Sequence, residues 1–108
     1  MTRSATDGLK ITLSAIIYRE DDCWLAHCLE MDIVAEGKNL MDAWRNLDDL
    51  CTLQVRVALE EGDLESIFKP APAEFWKMFW IGKERVMPRK HKTFKPIKRF
   101  EARELDFA

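Results

Sequence analysis

Polar and apolar residues alternate from Lys10 to Tyr18, placing Ile11, Leu13, Ala15 and Ile17 on one face at period two. That spacing predicts a strand with one buried side. Arg19 to Asp22 is a polar connector of turn formers, and a β-prone run resumes at Cys23–Leu29, so the two segments are expected to pair as an antiparallel hairpin. A second polar break at Glu30–Asp32 precedes Ile33–Val34–Ala35, a short third strand that stops at Gly37. The first third of the chain therefore reads as a three-stranded meander.

The period then changes. Leu40, Ala43, Trp44, Leu47, Leu50, Cys51, Gln54 and Ala58 follow helical spacing over about 40–61, Gln54 being the one polar break in the stripe. Asn39 is a good N-cap, Asp42 falls in the first turn, and Gly62 suits the residue past the end. The stripe is expected to lie on the sheet, with Asp42, Arg45, Asp49, Arg56 and Glu60 opposite. Val55 and Val57 widen it toward burial on a second side, by another subunit. Lys69–Pro–Ala–Pro72 ends whatever turn residues 63–68 make, because each Pro removes a donor and biases its predecessor away from the helical region. Residues 73–81 carry Phe75, Trp76, Met78, Phe79 and Trp80, a short helix apolar around much of its circumference. The stretch from Gly82 to Pro96 is basic and aperiodic, expected to be extended and poorly packed. Alternation returns in the last ten residues, which can add a strand to a sheet edge in this chain or a neighbour.

The fold class expected is thus α+β: an antiparallel β-β-β meander packed on one long α-helix, then a second short aromatic helix and a C-terminal strand. Residues 1–68 form the β-β-β-α domain and 69–108 an extension of it. At 108 residues, 47% hydrophobic and 33% charged, the chain can build one core, removing roughly 60–70% of its unfolded surface from water. No apolar run approaches the roughly 20 residues of a membrane span. The polar start has no signal-like apolar region, and Cys23, Cys28 and Cys51 are odd in number and read as reduced, so a cytoplasmic location is expected.

Net charge is −2, but it is divided unevenly. Residues 1–82 hold 8 Lys and Arg against 15 Asp and Glu, a net −7, while 83–108 hold 9 against 4, a net +5. An acidic body suits a basic protein, and a basic tail suits phosphates or an acidic partner.

Candidate chemistry is sparse. Cys23, His27 and Cys28, with Cys51, invite a zinc site. On a strand, however, Cys23 and His27 stand roughly 13 Å apart, and His27 and Cys28 point to opposite faces, whereas tetrahedral ligands lie about 2.0–2.3 Å from one ion. The same divergence disfavours a Cys-His nucleophile, and His91 has no fixed partner. Asp21–Asp22, Asp48–Asp49 and Glu60–Glu61 are consecutive carboxylates that diverge or lie in solvent. None of the four glycines belongs to a phosphate-binding loop. No catalytic group, metal or cofactor is therefore expected. Phe75, Trp76, Phe79 and Trp80 form either a satellite core over the main helix or the anchor of a homodimer or higher oligomer. The tail residues Arg89, Lys90, Lys92, Lys95, Lys98 and Arg99 form a candidate nucleic-acid contact, with Phe94 and Phe100 for stacking. Prolines at 70, 72, 88 and 96 leave no room for a helix-turn-helix.

Over residues 10–62 the order of motifs resembles the HicB-like antitoxin family: Ile16–Ile17–Tyr18, a charged turn, Trp24–Leu–Ala–His–Cys–Leu–Glu–Met–Asp32, a short strand, Gly37, and a helix start in which Asn39, Asp42 and Ala43 occupy a T-x-x-E-A pattern. The resemblance implies a partial RNase H-like fold, β-β-β-α with a further strand, and no nuclease activity. It also implies a partner, a small basic HicA-type mRNA-cleaving toxin whose active surface the antitoxin covers. Family members commonly carry a C-terminal DNA-binding module, which residues 63–108 do not match. The expected toxin-binding edge is Asp21, Asp22, Glu30, Asp32 and Glu36. The alternative is a stand-alone nucleic-acid-binding or oligomeric module using the basic tail.

Overall fold

The computed structural model describes residues 11–89 and 96–105, the side chains of 83–89 excepted. The elements run β1 (Ile11–Glu20), β2 (Cys23–Cys28), β3 (Ile33–Gly37), α1 (Leu40–Glu61), a 3-10 turn at Leu64–Ile67, α2 (Ala73–Ile81), β4 (Lys83–Arg89) and β5 (Ile97–Glu104). They assemble as the expected α+β fold, a sheet packed on a long helix. The sheet has five strands in the order β3-β2-β1-β5-β4. All neighbours are antiparallel except β1 and β5, which run parallel from Ile11 beside Ile97 to Ile17 beside Glu104.

The hairpin between β1 and β2 is tight, Glu20 pairing directly with Cys23. Only Asp21 and Asp22 form the loop. Asp21 takes a left-handed backbone (φ 52°), which Asp tolerates better than most residues. The meander continues with Ala26 opposite Ala35 and Trp24 opposite Gly37.

Gly37 then meets α1 at very close range. A Cβ placed on it would stand 2.1 Å from the Ala43 nitrogen and 2.6 Å from its Cα. These are backbone atoms of the first helical turn, so they cannot swing aside. That turn is fixed by a reciprocal cap: Asn39 Oδ1 accepts from the Asp42 N–H at 2.8 Å, and the Asp42 carboxylate accepts from the Lys38 N–H at 3.0 Å. At the other end Gly62, with φ 68°, returns its N–H to Ala58 and Leu59 carbonyls.

Two apolar layers flank the sheet. On one face Ile11, Leu13, Ala15, Ile17, Ala26, Cys28, Ala35, Phe100 and Ala102 pack against Ala43, Trp44, Leu47, Cys51 and Val55 of α1. Trp44 meets Phe100 edge-on, with centroids 4.6 Å apart. On the other face Ile16, Leu29 and Leu105 pack with Ala71, Phe79 and the half-buried Phe75, Trp76 and Met78 around α2. Arg103 on β5 secures this helix by donating to the Phe79 carbonyl at 3.2 Å and lying over the Phe79 ring at 4.5 Å. A cation at a helix C-terminus also opposes the negative end of its dipole.

Several expectations need correction. The buried stripe of α1 includes Val55 and Asp48 but not Leu50 or Gln54, because its centre lies nearer the line through Trp44, Cys51 and Val55. The terminal strand is not at an edge. It sits inside the sheet between β1 and β4, and the last expected strand residue, Phe107, lies outside the described residues. Part of the basic stretch is β4, an edge strand whose irregular pairing with β5 accommodates Pro88. Finally, the aromatic residues of α2 cover the sheet's second face rather than the main helix.

Gly37→Ala tests the helix approach. The substitution forces backbone apart and is expected to cost about 3 kcal/mol, read as a lower denaturant midpoint with unchanged slope. A loss below about 0.5 kcal/mol would show that the turn into α1 is not tightly constrained.

Candidate functional site

The five acidic residues expected to form one edge are divided by the fold. β2 separates the Asp21–Asp22 turn from the Glu30–Asp32 turn by six strand residues, or roughly 20 Å at 3.3 Å each. Glu36 belongs with the first group, since it pairs with Leu25 near the start of β2. The second group is bound to neighbouring groups of β1 and β2. Glu30 Oε1 accepts from the Ser14 N–H at 2.7 Å and lies 3.8 Å from the Cys28 thiol. Asp32, at a left-handed position (φ 53°), places Oδ1 2.6 Å from His27 Nε2. These two carboxylates close the β2–β3 turn onto β1 and β2.

His27 and Cys28 diverge as expected. His27 is 2% exposed and lies edge-on to Phe75 of α2 at 4.8 Å, while Cys28 faces α1. Hydrogen bonding to Cys28 and burial push the Cys51 thiol far up, so it stays protonated. All three cysteines are free, and among the described residues no group of three or more His, Cys, Asp or Glu is arranged to hold a metal. A small pocket of about 200 Å³ lined by Ala58, Leu59, Gly62 and Leu64 offers no titratable side chain. No helix among the described residues is long and apolar enough to cross a membrane.

What the hairpin does gather is a corner of negative charge. Glu20 pairs with Cys23, Asp21 and Asp22 form the loop beside them, and Glu36 approaches from β3. The Cys23 thiol senses all four: desolvation, then the charges of Glu36, Glu20, Asp21 and Asp22, push its pKa up. Among the described residues none of these four carboxylates is in an ion pair. Glu20 was missing from the expected site, although the hairpin register alone would have placed it there. Such a corner is suited to holding a cationic surface.

The tail candidates are less coherent. Lys98 and Arg99 are exposed on β5, where Arg99 bonds to Glu101 at 3.0 Å; Arg89 is in β4, and Lys90, Lys92 and Lys95 lie outside the described residues. Of the aromatic group, Phe75, Trp76 and Phe79 form the core beneath α2, and Trp80 alone is largely exposed, at 67%. No family model, no curated protein and no solved structure matches this chain.

Burial raises the Glu30 pKa despite the opposing hydrogen bonds from Ser14. A carboxyl raised in the folded state favours folding in acid, and that contribution is lost as pH rises through the folded pKa. Glu30→Gln keeps an oxygen for the Ser14 N–H and removes the titration. Its stability relative to the parent is therefore expected to improve from acid to neutral pH in urea unfolding. A difference independent of pH would contradict the burial argument.

Proposed function

We propose that the chain is a cytoplasmic HicB-like antitoxin of a type II toxin-antitoxin pair, non-catalytic, that neutralises a small basic HicA-type mRNA-cleaving toxin. The observation carrying this reading is the acidic corner of Glu20, Asp21, Asp22 and Glu36, without an ion pair among the described residues, at the end of a β-β-β-α unit whose sheet is extended by β5 and β4. It joins a β-β-β-α order like that of the family the sequence resembles to a surface of the charge that a basic toxin requires. Four carboxylates held on two strands and the two-residue loop of a tight hairpin are preorganised, so binding them costs little ordering entropy. Their field steers a cationic partner into register, and their contribution weakens as salt rises. Glu30 and Asp32 support the site indirectly by closing the far turn.

The charge pattern favours this reading over nucleic-acid binding. On β5, Glu101 pairs with both Arg99 and Arg103, at 3.0 and 3.4 Å, which reduces the positive field available to phosphates.

The test is to purify the chain from its native host, identify small basic proteins that co-elute stoichiometrically, and measure their mRNA cleavage with and without it. The expected partner cleaves mRNA when free and is silenced when bound. Replacing Asp21, Asp22 and Glu36 together by Lys should weaken the complex about 100-fold or more, while Glu30→Gln leaves affinity unchanged. An inert partner, or a complex insensitive to the triple reversal, would overturn the proposal.

A further inference from the structure

The outer face of α1 carries apolar side chains that the core beneath the helix does not use. Leu50, Leu53 and Val57 are 38%, 52% and 39% exposed, and their i, i+3, i+7 spacing makes a stripe directed away from the sheet. Along one flank of this stripe lie four exposed charges: Arg45, Asp49, Arg56 and Glu60. Their signs read plus, minus, plus, minus. Their spacings are four, seven and four residues, the same in either direction.

Reversing such a string converts it into its own complement. A second α1 laid antiparallel on the first therefore sets Asp49 opposite Arg56 of the partner subunit and Arg45 opposite Glu60 of the partner subunit, each pairing occurring twice. The midpoint of the charges falls between Thr52 and Leu53, within about one residue of the midpoint of the apolar stripe, so an axis there brings Leu53 close to its own copy and Leu50 toward Val57 of the partner subunit. In antiparallel helix pairs, residues on the same flank face each other, which a parallel arrangement would not achieve. Apolar centre and charged flank thus select one register, and the symmetry is that of an isologous dimer.

We infer that two copies of this chain associate through antiparallel α1 helices, with Leu53 beside the twofold axis and Asp49 paired to Arg56 of the partner subunit. The contact is independent of the antitoxin reading, because it uses none of Glu20, Asp21, Asp22 or Glu36.

Sedimentation equilibrium of the full chain tests this at micromolar to hundreds of micromolar concentration. The parent is expected to dimerise, more weakly at high salt. Asp49→Arg gives one flank carrying only Arg at 49 and 56, and Arg56→Asp gives a flank carrying only Asp there. Each alone should raise the dimer Kd about 10-fold or more, whereas an equimolar mixture should form heterodimers at least as tight as the parent. Leu53→Glu should give a monomer, with its folding verified by far-UV circular dichroism. Three results would overturn the inference: a parent that stays monomeric, a dimer indifferent to Asp49→Arg, or no recovery in the mixture. Monomeric behaviour would fit the stripe being covered by another part of the chain, and an indifferent dimer would place the contact elsewhere, as at Trp80 and Ile81. Neither outcome would affect toxin binding at the acidic corner.

Discussion

The parallel pairing of β1 with β5 is the constraint on which the rest of the fold depends. β1 is buried on both faces, through Ile11, Leu13, Ala15 and Ile17 on one and Ile16 on the other. Such a strand is stable only when both its edges are hydrogen-bonded and both its faces are covered. β2 supplies one edge and a segment some eighty residues further along the chain supplies the other. That distant pairing also brings Phe100 to Trp44, joining the long helix to the terminal strand. The residues beyond 69 consequently belong to the same folding core as the meander. A sheet ending at β1 would present a long apolar edge, a form that natural proteins avoid.

With β1 secured, the remaining polar groups divide into those that hold turns and those left for contact. Glu30 and Asp32 are committed to Ser14 and His27, and Arg103 to Phe79 and Glu101. Among the described residues, the carboxylates of the hairpin corner have no such duty. Charges of one sign repel one another and are tolerated where they meet opposite charge or open solvent. Their concentration at one corner of the sheet, rather than their number in the sequence, is what makes a basic partner a physical expectation. The outer face of α1 is the second contact surface we propose, directed by shape and alternating charge instead of net charge.

Local order was legible from the sequence and distant pairing was not. Alternation at Ile11 to Ile17 and helical spacing at Leu40 to Ala58 fixed the first four elements, and Asn39 and Gly62 marked both ends of α1. The stripe was misjudged by about one position: Leu50 and Val55 are both apolar, and only contact with the sheet decides which is inward. The interior place of β5 could not be read because Phe100 and Ala102 alternate as well at an edge as inside a sheet. The candidate acidic corner was half legible. Asp21, Asp22 and Glu36 converge through register, but Glu30 and Asp32 are bound by the Ser14 N–H and His27, neighbours that linear spacing does not reveal.

Native-state hydrogen exchange addresses the central claim, that β5 is part of the core, most directly. Amides of β5 that bond to β1, those of β1 itself and those in the middle of α1 should open only by global unfolding, with a common free energy that falls together on addition of denaturant. If the β5 amides instead exchange through a separate, lower-energy opening while β1 and α1 remain protected, the terminal strand is an appendage and the account is wrong.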